Sequence, residues 1–422
     1  MRIAVIGAGI VGVTTAYELA ADGHEVVVYE RHGTVASETS FANAGVVAPG
    51  YVTPWAAPGM PGKVLRHLVS RHAPVRLAMP GALAELPWMW RWWRACAPDR
   101  YRRHRAALWT LARYSADRLA QLTTRLGLDY EQSSGYLVLL RDARDERLAE
   151  PALALLAELG VAHSKVDAVR CREIEPGLSA DTPLRAAIHL PQDGVGNCRQ
   201  FAQLLKGRAQ EAGARFRFGH TVLRIDPGAA PVVVGRDADG RAFEDRHDAD
   251  VLSAGLEAAS LLRPLGLRLP LAAVWGYSVT APLRHVEAHG PFGPRSALMD
   301  ERFKVAISRL GQRVRAAGSA ELGGRADRHD ARAIATLHKV LDDWFPGAAV
   351  WRDSQVWKGA RPMLAEGPPR VGASGLPGLW LNLGHGSSGW ALSCGSARVL
   401  ADLVGGRQPE IDVAGVAPSA RA

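Results

Sequence analysis

Several things are scarce in this 422-residue sequence, and each scarcity excludes something. Cysteine occurs four times, at Cys96, Cys171, Cys198 and Cys394, with no CxxC pair. That spacing argues against a zinc site or a disulfide framework and for a reducing compartment. No run of about 18 apolar residues occurs, so no transmembrane helix is expected. No long block of basic residues occurs either, which tells against nucleic acid. The charge balance is nonetheless basic, with 51 Lys+Arg against 42 Asp+Glu, and nearly all the cations are arginine. That excess fits an arginine-rich composition, and also a contact with an anionic membrane surface. No repeat and no low-complexity linker divides the chain. The apolar fraction of 47% and charged fraction of 22% are those of an ordinary globular protein.

What is present begins at the first residue. Arg2 to Ile6 is a short apolar run suited to a buried parallel strand. Gly7, Gly9 and Gly12 follow as GxGxxG, then a helix over 13–21, a second strand over 24–29, and Glu30. In that order the motif predicts a dinucleotide site. Gly7 allows the turn, Gly9 lets a pyrophosphate approach the backbone, and Gly12 lets helix and strand pack closely. The helix N-terminus offers free N–H groups to phosphate. Glu30 accepts hydrogen bonds from the ribose hydroxyls and disfavours a 2′-phosphate, hence NADP. The motif alone does not separate FAD from NAD.

Further along, 37–45 is small and polar, and 49–62 is a long Pro/Gly-rich loop of the kind that is usually functional. Residues 62–126 read as helical. Within them Trp88, Trp90, Trp92 and Trp93 read as core, as a subunit face, or as an interfacial membrane anchor. A strand is expected over 184–190 and a turn at Gly194-Val195-Gly196. Asp250 to Gly255 is an apolar strand ending in small residues, so that Ala254 and Gly255 can pass close to a dinucleotide. Strands over 271–280, 302–309 and 313–318 form a separate antiparallel sheet. Gly384-His385-Gly386-Ser387-Ser388-Gly389 enters a helix, a second helix end that can face an anion. The nucleotide signatures at the start, middle and end predict an α/β protein of two interleaved parts. A discontinuous Rossmann-like domain takes 1–58, 192–268 and 356–418, and a mostly antiparallel α+β domain takes 59–191 and 269–355.

With these residues in view, the chain resembles the bacterial FAD-dependent D-amino-acid dehydrogenases (small-subunit type), in the glycine oxidase and D-amino-acid oxidase group of flavoproteins. The most specific stretches are Thr39-Ser-Phe-Ala-Asn-Ala-Gly45, Pro49 to Gly59, Arg71-His72-Ala73-Pro74, Gly276-Tyr277-Ser278, Gly359-Ala360-Arg361-Pro362 and Gly384 to Trp390. Trp275 and Ala365-Glu366 depart from the family pattern, the former where lysine is frequent.

The resemblance implies non-covalent FAD and oxidative deamination of D-amino acids to 2-oxo acids and ammonia, by hydride transfer to flavin N5. Electrons would pass to a quinone-type acceptor. The alternatives are a D-proline or hydroxyproline dehydrogenase, an oxygen-using oxidase, or a non-enzymatic flavoprotein subunit. Gly7, Gly9, Gly12 and Glu30, with Ile6, Ile10, Val11 and Arg31, would hold the ADP half. Thr39, Ser40, Asn43, Ala44 and Gly45 would line the pyrophosphate and isoalloxazine, and Val222 would meet the adenine. Gly384, His385, Gly386, Ser387, Ser388 and Gly389 would run along the flavin's N1–C2=O edge. Arg361 would bind the substrate carboxylate, with Tyr277 and Tyr51 as further substrate-side residues. No metal is implied. The expected location is the cytoplasmic side, soluble or peripheral to the inner membrane.

Overall fold

The computed structural model of the chain describes residues 1–67, 72–284 and 292–418, so Arg71 lies outside the described residues. One sheet has six strands in the order Arg370–Ala373, Leu379–Leu383, Ala249–Leu252, Arg2–Ile6, Glu25–Glu30 and Arg215–Phe218. All neighbours are parallel except the antiparallel edge pair Arg370–Ala373 and Leu379–Leu383. Its central strands are covered on both faces, which is why they read as unbroken apolar runs. Helices Ile10–Ala21, Cys198–Glu211, Gly389–Val404 and Pro98–Leu126 supply one apolar layer. A three-stranded antiparallel sheet, Thr221–Asp226, Val232–Arg236 and Ala242–Arg246, contributes to the other.

The second sheet is mostly antiparallel. Its order is Gln355–Leu364, Leu271–Pro282, Arg313–Leu322, Val305–Leu310, Ala297–Asp300, Ser133–Leu140, Ala186–Val195 and Val46–Val47. Strands Val75–Leu77 and Ser164–Asp167 join it from the side. One face packs on helix Ala331–Trp344 through Tyr277, Val279, Ile307 and Trp344. The opposite face carries Ser278, Ser308 and Arg315, which bond to residues 42–44. Alternation along a strand therefore decides which residues can reach a site between the sheets.

Two expectations need correction. The stretch 62–126 is not helical throughout. Helices Met60–His67, Gly81–Ala84, Leu86–Ala95 and Pro98–Leu126 are interrupted by the strand Val75–Leu77, which pairs with Ala320 to Leu322. Gly194 to Gly196 is not a free turn either, because strand Ala186–Val195 continues through Gly194 opposite Ser134 and Val47. A Cβ on Gly194 would stand 2.3 Å from the Ser133 carbonyl oxygen, so the glycine serves strand approach.

Helix Leu86–Ala95 divides the tryptophans by its period. Trp88 is buried and its Nε1–H donates to the Met363 carbonyl at 3.0 Å. Leu86, Trp90 and Trp93, spaced i, i+4 and i+7, are exposed on one side. All four cysteines are buried and free. Among the described residues, no helix is long and apolar enough to cross a membrane, and no group of three His, Cys, Asp or Glu side chains stands ready for a metal.

Candidate active site

The glycines of the first turn fit their separate tasks. Gly7 has φ +100°, and a Cβ there would lie 2.8 Å from the Ser253 carbonyl oxygen. A Cβ on Gly12 would stand 1.9 Å from the Gly7 oxygen, so only glycine permits this strand–helix contact. Gly9 differs. A Cβ there would meet only the Ser40 Oγ, at 3.6 Å, so packing within the protein does not demand glycine. Helix Ile10–Ala21 starts beside this open side of Gly9, and a helix start offers N–H groups to an anion.

Glu30 is buried, its two oxygens accepting from Ala8 N (2.7 Å) and His32 N (2.9 Å). Each oxygen keeps a second lone pair for a ribose hydroxyl. Ser40 Oγ accepts from Ile10 N at 3.1 Å and ties the 39–45 segment to the helix start. Arg31 pairs with Glu38 and, at 3.4 Å, with Glu257. Val222 and Ala254 pack on the cluster that holds Ile6 and Tyr29, with Gly255 following in the left-handed region. The structure thus brings the N-terminal turn, Val222 and the Ala254–Gly255 turn together.

Residues 42–45 are held from behind. Ser278 Oγ donates to the Ala42 oxygen (2.8 Å), Arg315 to the Asn43 oxygen (2.7 Å) and Ser308 Oγ to the Ala44 oxygen (2.6 Å). Trp390 Nε1 and Gly196 N donate to the Gly45 oxygen at 3.1 and 2.9 Å. Among the described residues, the N–H groups of Ala42, Asn43 and Ala44 have no protein acceptor. A backbone segment with its carbonyls tied down and its N–H groups open is a donor row for an oxygen-rich ligand. Thr39 Oγ1 donates to the Ala360 oxygen at 2.5 Å, bringing this segment to the strand of Arg361.

Arg361 lies on strand Gln355–Leu364 opposite Val274, and its guanidinium covers Gly276. A Cβ on Gly276 would stand 2.3 Å from the Arg361 Nη2. One Nη donates to the Ser319 oxygen at 2.9 Å, and the Trp55 ring lies 5.9 Å from Cζ. Among the described residues no carboxylate is within 4.0 Å of this cation. Burial pushes the guanidinium down to about 10, which leaves it charged at neutral pH. A half-buried guanidinium that meets only a carbonyl carries a desolvation cost that an anion would offset. Beside it, Gly384 and Gly386 have positive φ and pack against Leu364 and Met363, and Trp55 Nε1 donates to Ser387 Oγ at 3.1 Å. The turn Gly386–Ser388 leads into helix Gly389–Val404 without a side-chain cap.

Three candidates have their polar atoms engaged by other groups of the protein. Tyr277 stands three positions along the strand from Val274 and points to the opposite face, its hydroxyl donating to Glu321 Oε2 at 2.5 Å and accepting from Asp330 N at 3.0 Å. The structure does not bring it to Arg361, because residues 274 and 277 alternate across the sheet. Tyr277→Phe is therefore expected to lower Tm by roughly 1–3 °C through the lost bonds while KM stays within twofold of wild type. A KM change as large as that of an Arg361 variant would return Tyr277 to the site. Tyr51 donates to Glu301 Oε2 at 2.6 Å and accepts from Lys304 at 3.2 Å, so its hydroxyl is engaged within the protein. His385 is buried, 2.9 Å from Ser396 Oγ, and burial lowers its imidazole to about 3, so it stays neutral. Burial also holds the Cys394 thiol far above its ordinary range, so it is no thiolate.

Sequence reading assigned no role to Gly276 or Ser278 beyond the stretch they belong to, and none to Ser308, Arg315 or Ser319. Gly276 and Ser278 flank Tyr277 in a stretch that was singled out, and alternation from Arg361's partner Val274 points to them.

The family model described as DAO, FAD dependent oxidoreductase, matches residues 2–403. A protein of Cereibacter sphaeroides named D-amino acid dehydrogenase is 42% identical over 432 residues, covering 100% of this chain and 97% of the relative. One of the same name from Rhizorhabdus wittichii is 40% identical over 423 residues, covering 99% of both chains. The crystal structure of glycine oxidase from Geobacillus kaustophilus superposes with a TM-score of 0.74 at 21% identity, over 100% of this chain and 99% of that one, which shows a shared fold.

Proposed function

We propose a function from one premise: the chain belongs to the FAD-dependent oxidoreductase family. FAD is its cofactor, and the open space at Gly9, the donor row at 42–44 and the free helix starts fit that group. In our reading the chain oxidises D-amino acids: the relatives named D-amino acid dehydrogenase support the D series, and Arg361 is the single observation in the site that carries an amino-acid carboxylate. A guanidinium that meets no carboxylate among the described residues, bordered by Trp55, Gly276 and the Ser319 carbonyl, suits a substrate carboxylate through two parallel hydrogen bonds.

When bound, FAD would supply the acceptor for a hydride from the substrate Cα; the iminium left on the substrate would be hydrolysed by water to a 2-oxo acid and ammonium. The chain's own part is positioning. Arg361 fixes the carboxylate, and Gly276 leaves room for that guanidinium. The clamped 39–45 segment and the N-terminus of helix Gly389–Val404 would hold the flavin end, with Gly7, Gly9, Gly12, Glu30 and Val222 at the ADP end. His385 and Tyr277 are engaged elsewhere, so the substrate amine enters as the free base rather than losing a proton to a side chain. In the same proposal the six-stranded sheet with its helices is the cofactor part, and the larger sheet with helix Ala331–Trp344 is the substrate part. Steady-state dye reduction with D-alanine, L-alanine, D-proline and glycine tests the substrate class. Turnover of D-isomers with an artificial dye and little oxygen uptake is expected. Turnover only of L-isomers or only of D-proline overturns this reading.

Electrons pass, in this reading, to a quinone-type acceptor in a membrane that the chain meets peripherally. Leu86, Trp90 and Trp93 are each more than half exposed, with Arg91 and Arg94 beside them, as on an interfacial helix that seats aromatics among headgroups. Trp90→Ser with Trp93→Ser is expected to reduce co-sedimentation with phosphatidylglycerol vesicles about tenfold and leave dye-linked activity unchanged. Equal sedimentation of variant and wild type would remove this face from membrane contact.

A further inference from the structure

We propose that Arg315 is a positioning residue that sets the reduction potential of the bound flavin through the 42–45 segment. The inference rests on the reading that this segment borders the flavin. Arg315 lies in the middle of the larger sheet and is 6% exposed. Its Nε donates to Thr280 Oγ1 at 2.8 Å and its Nη1 to the Asn43 oxygen at 2.7 Å.

No carboxylate neutralises it within 4.0 Å among the described residues. The acid nearest in effect, Glu131, is already taken by Arg313 (2.7 Å) and by Asn197 Nδ2 (2.8 Å). Arg313 adds positive charge of its own, and the neighbouring Cys198 is a buried thiol raised to about 12, hence neutral. Arg315 remains a cation at neutral pH, since burial lowers it only to about 10.

The serines on either side show what the clamp alone would need. Ser278 and Ser308 hold the flanking carbonyls with uncharged hydroxyls. At the central carbonyl a buried full charge stands where a neutral donor would satisfy the same oxygen, at a desolvation cost that the Asn43 bond does not explain. A fixed cation behind one layer of backbone favours negative charge in front of it. Reduced flavin carries more negative charge than oxidised flavin, so the cation favours the reduced form.

The test compares holoenzymes by dye-equilibrated spectroscopic titration, with FAD dissociation constants measured alongside. Arg315→Met and Arg315→Gln are expected to disfavour the reduced form about tenfold, ~30 mV lower for a two-electron couple. Arg315→Lys should restore most of the potential. Ser278→Ala and Ser308→Ala, which loosen the clamp and keep the charge, should weaken FAD binding and leave the potential in place. Unchanged potentials in Met and Gln variants overturn the proposal, as does a shift of the same size in the serine variants. If the neutral variants fail to retain FAD, retention by Lys supports the charge and loss from all three overturns it. A wild-type protein that held no FAD would instead defeat the underlying reading.

Discussion

Arg361→Ala is expected to raise KM for D-alanine by two to three orders of magnitude and to leave the purified protein yellow. The side chain lies over Gly276 and, among the described residues, touches no carboxylate and donates one bond, to the Ser319 carbonyl. Its removal therefore breaks little inside the protein. It leaves a substrate carboxylate enclosed without its cation, and losing one partner of such a charge pair costs about 2–5 kcal/mol. At about 1.4 kcal/mol per factor of ten, that spans the stated range. Arg361→Lys should recover only part of the loss, because an ammonium cannot offer two parallel donors from one plane. Steady-state kinetics and the flavin spectrum check both statements. An unchanged KM would take Arg361 out of the substrate site, and a colourless Arg361→Ala protein would assign it to the cofactor.

Gly9→Val is the second large effect. A Cβ at Gly9 meets only the Ser40 Oγ at 3.6 Å, so the fold should tolerate the substitution. A side chain there fills the space through which the pyrophosphate reaches the backbone. The variant should fold with wild-type far-UV circular dichroism and bind FAD at least a hundredfold more weakly, read by fluorescence titration of the apoprotein. Gly12→Val makes the contrast. Its Cβ would stand 1.9 Å from the Gly7 oxygen, so it should fail to give soluble folded protein. A yellow, fully loaded Gly9→Val protein would contradict the placement of the ligand at this turn.

The two glycine variants also mark what was legible in the sequence. Gly7, Gly9, Gly12 and Glu30 form one local unit whose strand, turn and helix all lie within 30 residues, so spacing alone exposes it. The central strand Ala249–Leu252, nearly 250 residues from its partner Arg2–Ile6, was still found because both are short apolar runs ending in small residues. The donors behind 42–45 were not legible. Ser278, Ser308, Arg315 and Trp390 reach the segment from 236 to 345 residues away, and nothing in their local sequence announces the target.

Tyr277 shows a different limit. Its type and its place in a distinctive stretch suggested a substrate contact, but a strand residue's face follows from pairing register, and that is a tertiary fact. In the register observed, Gly276 and Ser278 face the site and Tyr277 faces helix Ala331–Trp344. The tryptophan helix could have been read further. Spacing of Leu86, Trp90 and Trp93 already separates an outward stripe from the buried Trp88.

The most direct measurement is anaerobic mixing of the FAD-loaded protein with D-alanine and, separately, L-alanine, followed at the flavin's visible absorbance. D-alanine is expected to bleach the flavin and release one pyruvate per flavin, while L-alanine leaves the spectrum unchanged. Bleaching by L-alanine alone, or by neither isomer nor any other D-amino acid, would contradict it.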